Sequence, residues 1–185
     1  PDQHTYSQHA NILAVLTGMF KPEEEKVLIS KILQEPGITE ATLYFKFYLV
    51  QAMEKAGLAD EYINQLKPWK EMLKLGLTTF AETPEPTRSD CHAWSASPNY
   101  DLLATVCGIR PGSPGFRTLR IEPQFGPLKM LEASMPHPKG TIHLSLKKNN
   151  ERLTGTITLP PGLSGELVWH TQRILLHPGK QVINL

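Results

Sequence analysis

The sequence has little of several features that mark particular classes of protein. Its formal net charge is only +1, with 19 Lys and Arg residues against 18 Asp and Glu residues. That balance lacks the basic surplus expected for a nucleic-acid or anionic-membrane partner, so we expect neither. No apolar run approaches the ~20 residues of a membrane span. The composition, with 40% apolar and 20% charged residues, is that of an ordinary globular protein that can bury a core.

Cysteine is also scarce, and the sequence has neither an initial methionine nor a recognisable signal peptide. The two cysteines, Cys91 and Cys107, have no CxxC neighbour. We expect free thiols that behave as small apolar side chains, although the sequence leaves their pairing open. The chain begins "PDQHTYSQHAN", without Met and directly in helical text, so we expect a piece of a longer polypeptide. The compartment stays open, a periplasmic or secreted location in a bacterium included.

The residues up to about 110 have the pattern of α-helices. The predicted helices span residues 5–20, 22–33, 40–57, 59–76 and 99–108. Pro22 suits a first helical turn, and the acidic residues after it suit the positive end of a helix dipole. Thr39 is the predicted N-cap of the third helix, and Pro68 is expected to interrupt the fourth. Because several of these helices are apolar nearly all round, we expect them to close a helical assembly whose earlier helices lie outside this chain.

After Pro111 the pattern changes to short segments that mostly alternate in polarity. Gly, Pro or Asn separates them, which predicts an antiparallel β-sandwich. The predicted strands span residues 116–123, 128–136, 140–150, 152–160, 165–171, 173–179 and 180–185. The fold class is therefore α+β, with helices in residues 1–110 and strands in residues 111–185, divided near "IRPGSPG".

The loop "TTFAETPEPTRSDCHAWS", residues 78–95, concentrates side chains that can do chemistry. Loops held by a rigid scaffold often carry function. Glu82 is a candidate general base, because a carboxylate in a dry pocket can take a proton from water. The alternative is an exposed loop glutamate, and composition alone does not distinguish Glu82 from Glu85. Arg88 and Asp90 are expected to pair and brace the loop.

The end of the same loop brings an imidazole and an indole close together. In an extended segment His92 and Trp94 point to one side, and such a pair suits a sugar, since one binds hydroxyls and the other stacks on C–H faces. A buried histidine and tryptophan are the alternative. Cysteine and histidine also bind zinc, but no second ligand pair stands at a recognisable spacing, so we expect neither a metal site nor a cofactor.

Four stretches together resemble one known family. "YSQHANILAVLTGM", "TTFAE", "TRSDCHAWSASPNYDLLATVCGIRP" and "FRTLRIEPQFG" are similar to the C-terminal end of bacterial α-L-rhamnosidases. The resemblance runs along the whole chain and is most specific from Gly76 to Pro123. It implies residues 1–110 as the C-terminal hairpins of an (α/α)6 catalytic barrel, and residues 111–185 as an antiparallel β-sandwich accessory domain.

The same resemblance implies a reaction and two roles. Family members invert the anomeric centre of a rhamnose-containing glycoside with one carboxyl as acid and one carboxylate that activates water. The family's late general base falls on Glu82, and its histidine that contacts rhamnose hydroxyls falls on His92. Many relatives carry tryptophan where this chain has Ala81, and the general acid lies upstream. We therefore expect a fragment that is inactive without the upstream part of the same polypeptide.

Two other functions remain open from the sequence. One is another (α/α)6-barrel glycosidase that acts on a different sugar. The other is a non-catalytic sugar-binding or structural module, for which Glu82 should be exposed and unpaired. The aglycone, the linkage and the oligomeric state are not encoded in any pattern that we recognise.

Overall fold

A computed structural model describes residues 6–185, and it divides between Asn99 and Tyr100 into two compact units. We call the part up to Asn99 the helical unit and the part from Tyr100 the β unit. No helix among the described residues is long and apolar enough to cross a membrane.

Four α-helices and a long 3-10 segment make up most of the regular structure in residues 6–99 of the helical unit. They are α1 (Gln8–Leu16), α2 (Pro22–Gln34), α3 (Lys46–Lys55), the 3-10 segment Ala59–Leu66 and α4 (Lys67–Lys74). The first three pack around one apolar cluster that includes Ile12, Ile29, Leu49 and Met53. These helices alone do not form a barrel of six hairpins, so their place in one stays a prediction.

Two polar side chains tie these helices together. Gln8 is buried; its Nε2 donates to the carbonyl of Ile32 at 2.9 Å, and its Oε1 accepts the N–H of Ala41 at 2.8 Å. Lys55, in the last turn of α3, forms an ion pair with the buried Glu25 in the first turn of α2. Its ammonium also donates to the carbonyl of Val15 at 2.6 Å, near the C-terminal end of α1. Cations are favourable there because the last carbonyls of a helix have no partner within it.

The helix boundaries correct one prediction and confirm another. Thr39 does not cap a helix, because its N–H and carbonyl bond to Tyr6 and Gln8, both at 2.9 Å. The third helix begins only at Lys46. Pro68 does divide its segment, since a 3-10 helix becomes an α-helix at that point and Pro68 lies in the first turn of α4, where proline is tolerated. The predicted last helix is a short α5 (Pro98–Asp101) continued by a π-turn, Leu102–Val106.

The β unit contains two four-stranded sheets. The first has the order β1-β2-β6-β7 and the second β3-β4-β5-β8. The strands are β1 (Ile109–Pro111), β2 (Thr118–Ile121), β3 (Met130–His137), β4 (Gly140–Asn149), β5 (Arg152–Leu159), β6 (Ser164–Trp169), β7 (Gln172–Leu176) and β8 (Gly179–Asn184). All seven predicted strands are found, and β1 is an addition. Alternate side chains of β4, Ile142, Leu144 and Leu146, are buried, as the polarity pattern predicts.

One strand pair differs from the predicted antiparallel arrangement. β2 and β6 run parallel, with Leu119 opposite Gly165, whereas every other strand pair of the two sheets is antiparallel. A Cβ built on Gly165 would lie 2.0 Å from the carbonyl oxygen of Leu119. The parallel pair therefore depends on the absence of a side chain at residue 165.

Candidate active site

Two backbone hydrogen bonds shape the loop that the sequence singled out. The N–H of Glu82 donates to the carbonyl of Ser89 at 2.8 Å, and the N–H of His92 donates to the carbonyl of Phe80 at 2.7 Å. The segments before and after residues 83–88 are thus joined side by side. Ala81, which is almost fully buried, packs in a small apolar cluster with Leu43, Trp69 and Met72. The backbone of Glu82 is therefore held in place by its hydrogen bond to Ser89 and by the packing of the neighbouring Ala81.

The Glu82 side chain is part-buried and has two cationic or ionisable neighbours. It is 13% exposed, and its Oε1 lies 3.9 Å from His92 Nε2. The guanidinium of Arg88 spans both of its oxygens, with Nε donating to Oε2 at 2.9 Å and a second nitrogen donating to Oε1. These contacts with Glu82 raise the pKa of Arg88, which stays a cation. The predicted partner of Arg88 was Asp90; that prediction is wrong, because Glu82 takes its place.

His92 and Trp94 lie together at the end of the loop. Their ring centroids are 4.5 Å apart with 43° between the ring planes. Only His92 has an extended backbone; Trp94 lies in a 3-10 turn, Ala93–Ser95, so the predicted contact forms by a different local geometry. The buried Nδ1 of His92 has no hydrogen-bond partner among the described residues. Trp69 fixes the turn, because its indole N–H donates to the carbonyl of Ser95 at 2.7 Å.

An aromatic side chain far away in sequence completes this group. Tyr44 lies just before α3, and its ring centroid is 5.9 Å from that of Trp94. Both side chains are about half exposed, 47% for Tyr44 and 49% for Trp94. Tyr44 was not predicted as a site residue, because "YFKFYLVQAM" has the pattern of a helix that is apolar nearly all round. The available signal was a pair of tyrosines, 44 and 48, four positions apart.

Other candidates of the loop lie outside this arrangement. Glu85 is exposed, and its carboxylate accepts only a long contact, 3.4 Å, from the N–H of Thr87 in the structure. The two carboxylates that composition could not separate thus differ in burial and in partners. In residues 6–185, no group of three or more His, Cys, Asp and Glu side chains is arranged to hold a metal ion.

Both cysteines are free thiols. Cys91 is exposed and Cys107 is buried. Burial raises the pKa of the Cys107 thiol from 9.0 to about 11, because desolvation disfavours the thiolate. Cys107 is therefore an apolar packing residue of the β unit.

The comparisons with known proteins bear on both units. The family model of the bacterial α-L-rhamnosidase C-terminal domain matches residues 108–181, within the β unit. Glu82, His92 and Trp94 lie outside the matched residues. No curated protein sequence matches the chain.

Similar solved structures extend across the chain. The GH78 family rhamnosidase of Bacillus sp. GL1 is 27% identical, with a TM-score of 0.81 over 91% of this chain and 19% of that one. The α-L-rhamnosidase from Dictyoglumus thermophilum is 18% identical, with a TM-score of 0.77 over 96% of this chain and 25% of that one. The Streptomyces avermitilis α-L-rhamnosidase, solved with L-rhamnose, is 15% identical, with a TM-score of 0.78 over 96% of this chain and 21% of that one.

The chain spans about a fifth to a quarter of the length of these three structures. The two with the lower identities support the fold alone. The Bacillus enzyme is similar to this chain in sequence as well as in fold. The chain is thus similar along most of its length to the GH78 family rhamnosidase of Bacillus sp. GL1, and residues 108–181 match the family model of the bacterial α-L-rhamnosidase C-terminal domain.

Proposed function

We propose that this chain contributes the general base and part of the sugar-binding surface of a glycoside hydrolase that removes terminal α-L-rhamnose with inversion. The observation that carries the proposal is the part-buried Glu82 carboxylate, which lies beside the imidazole of His92, with the indole of Trp94 in contact with that imidazole. The similarity to the Bacillus rhamnosidase supports the choice of sugar.

The chemistry assigned to Glu82 is the removal of a proton from water. As the water oxygen bonds to the anomeric carbon, the bond to the leaving oxygen breaks, and a separate carboxylic acid protonates that oxygen. In inverting enzymes the two carboxyl groups lie ~6.5–9.5 Å apart, with room for water between them. We place the acid upstream of this chain. Arg88 fixes the orientation of the Glu82 carboxylate, because it bonds to both oxygens.

His92 and Trp94 are assigned to the sugar. The imidazole lies 3.9 Å from Glu82, close enough to contact a hydroxyl group next to the reacting carbon. The indole of Trp94, half exposed, offers an apolar face to the C–H side of the ring. A hydrogen-bonding group and an apolar face at one carboxylate are the minimum that orients a pyranose.

The domain assignment belongs to the same proposal. Residues 1–110 would be the C-terminal portion of an (α/α)6 barrel, and residues 111–185 its β-sandwich accessory domain. A different (α/α)6-barrel glycosidase would use Glu82 in the same way, and the glycoside that it hydrolyses would distinguish it from a rhamnosidase. The non-catalytic reading requires an exposed, unpaired Glu82, and the observed burial and ion pair weigh against it.

The decisive experiment replaces Glu82 by Gln in the complete polypeptide. The amide keeps the size of the side chain but cannot accept the proton, so kcat on an aryl α-L-rhamnoside should fall ~10²–10⁴-fold with little change in KM. The configuration of the first-formed sugar, followed by NMR, should be inverted. The isolated 185-residue chain should release no rhamnose.

The matched control is Glu85→Gln, which changes an exposed carboxylate three residues away and should leave kcat unaffected. Loss of activity in Glu85→Gln with activity retained in Glu82→Gln would mean that the base is Glu85 and that the assignment to Glu82 is wrong. Activity on other glycosides but not on rhamnosides would mean that the proposed substrate is wrong and that the proposed role of Glu82 still stands.

A further inference from the structure

The side chains around Glu82 continue into a row of rings. From Glu82 outward the order is His92, Trp94, Tyr44 and Tyr48. Successive ring centroids are 4.5 Å apart for His92 and Trp94, 5.9 Å for Trp94 and Tyr44, and 6.1 Å for Tyr44 and Tyr48. We call these four residues the aromatic row. It begins at the proposed base and ends on the first turn of α3.

The middle of the aromatic row is open to solvent. Trp94 and Tyr44 are each about half exposed, whereas large aromatic side chains such as Tyr62, Trp69 and Phe125 are buried in the cores. Aromatic side chains have large apolar surfaces, and two of them side by side on the surface expose an apolar patch without an evident structural need. Exposure of this kind, continuous with a candidate active site, indicates a binding surface.

The two exposed rings are held by the same small cluster that anchors Glu82. Leu43, the residue before Tyr44, is buried in that cluster. Trp69 is another member, and its indole N–H holds the turn that carries Trp94. Ala81, the residue before Glu82, is a third member. One rigid core therefore sets the positions of Tyr44, Trp94 and the carboxylate relative to one another.

Tyr48 fixes the far end of the row. Tyr44 lies in the turn just before α3 and Tyr48 in the first turn of α3, and their ring centroids are 6.1 Å apart. The two rings meet edge to face, with 79° between their planes. Tyr44 thus presents its ring from a fixed position, which lowers the entropic cost of binding a ligand against it.

The order of the row fits the geometry of inversion. In an inverting displacement the water and the leaving oxygen lie on opposite faces of the anomeric carbon. The carboxylate that would activate the water is at one end of the row, and the imidazole and indole assigned to the terminal sugar come next. Tyr44, beyond them, then lies on the side of the leaving group.

We infer that Tyr44, which lies beyond Trp94 in the row, binds the ring that carries the leaving oxygen. This subsite accepts a ring with an apolar face, which is either a second pyranose or an aromatic aglycone. The inference rests on the proposed function of Glu82. It adds a specificity-determining residue, since a substrate without such a ring gains nothing from Tyr44.

The test compares three substrates in the complete polypeptide. Methyl α-L-rhamnoside has no ring on the leaving side, an aryl α-L-rhamnoside has an aromatic ring, and a rhamnosyl-glucose disaccharide has a pyranose. Tyr44→Ala should lower kcat/KM on the two ring-bearing substrates about 3- to 10-fold more than on the methyl glycoside. Tyr44→Phe, which keeps the ring, should stay within about 2-fold of the wild type on all three.

Tyr6→Ala is the matched control, because it removes another exposed tyrosine of the helical unit. It should leave kcat/KM unchanged on all three substrates. A loss confined to the aryl glycoside assigns the subsite to aromatic aglycones, and a loss confined to the disaccharide assigns it to sugars. Equal losses on all three substrates, or none, would overturn the inference.

Glu82→Gln, measured beside these variants, separates the two proposals. If it remains active, the proposed base is wrong. If it is inactive while Tyr44→Ala fails to discriminate between the substrates, the base stands and the subsite does not.

Discussion

Lys55 should contribute more to stability than its partner Glu25, although the two form one ion pair. Glu25 is 3% exposed and Lys55 is 38% exposed. Lys55→Met leaves a buried carboxylate without its cation and removes one of two donors to the carbonyl of Val15, which keeps the N–H of Gly18 at 3.0 Å. Breaking a buried pair costs ~3–5 kcal/mol, and the lower end applies because Lys55 is partly solvated. We expect a loss of about 3 kcal/mol in the free energy of unfolding.

Glu25→Gln should be milder. The Lys55 ammonium can still bond to Val15 and to water, so we expect a loss of about 1 kcal/mol. The double variant should lose less than the sum of the single losses, with about 1–2 kcal/mol of coupling, because the second change removes no further ion pair. Urea unfolding followed by the helical circular dichroism signal measures all three.

The control for this cycle is Lys74→Met. Lys74 pairs with Glu71 at 2.7 Å on the surface of α4, with exposed fractions of 69% and 50%, and its loss should cost less than about 0.5 kcal/mol. Equal costs for Lys55→Met and Glu25→Gln, or strict additivity in the double variant, would refute the argument from burial.

Three other outcomes are expected. A thiol reagent should modify the exposed Cys91 and spare the buried Cys107 in the folded chain, and rapid modification of both thiols would contradict this. The free energy of unfolding should fall as pH rises from 9.0 to about 11, because the Cys107 thiol ionises at a lower pH in the unfolded chain than in the folded chain. Gly165→Ala should lower the free energy of unfolding by about 2 kcal/mol, measured by urea unfolding, since its Cβ meets a backbone oxygen; an unchanged value would mean that the parallel strand pair tolerates a side chain. The isolated chain should self-associate in sedimentation experiments through apolar side chains such as Leu73 and Leu75, which are 74% and 58% exposed, and a strict monomer would count against the proposed place of these helices in a larger barrel.

The strands were predictable because their signal is local. Alternating polarity and turn residues recur every few positions, and each predicted strand from residue 116 onward is present. β1 was missed, since three residues are too few to show a period. The parallel pairing of β2 and β6 could not be read from either strand, because it depends on close backbone approach between Leu119 and Gly165.

The helical unit shows how tertiary contacts override local preference. Thr39 precedes a good helical sequence and suits an N-cap, yet its backbone pairs with the segment before α1. A helix is predicted from apolar residues three and four positions apart, and this spacing carries no information about a partner more than thirty positions away. The helix consequently starts later than its propensities indicate.

The candidate site was only partly visible in the sequence. His92 and Trp94 are two positions apart, so their contact could be anticipated. The ion pair between Arg88 and Glu82 depends on how the loop folds back, and composition favoured Asp90 equally well. Tyr44 joins from fifty positions away, which no local pattern reports.

The backbone pairing across residues 83–88 has a consequence for how this region can evolve. The bonds from Glu82 to Ser89 and from His92 to Phe80 fix the approach of the two segments, whatever lies between them. Closing a longer loop is inexpensive, at ~0.6 kcal/mol for each doubling of its length. Insertions between Thr83 and Arg88 could therefore reshape the surface beside Glu82 while the carboxylate and the imidazole keep their separation.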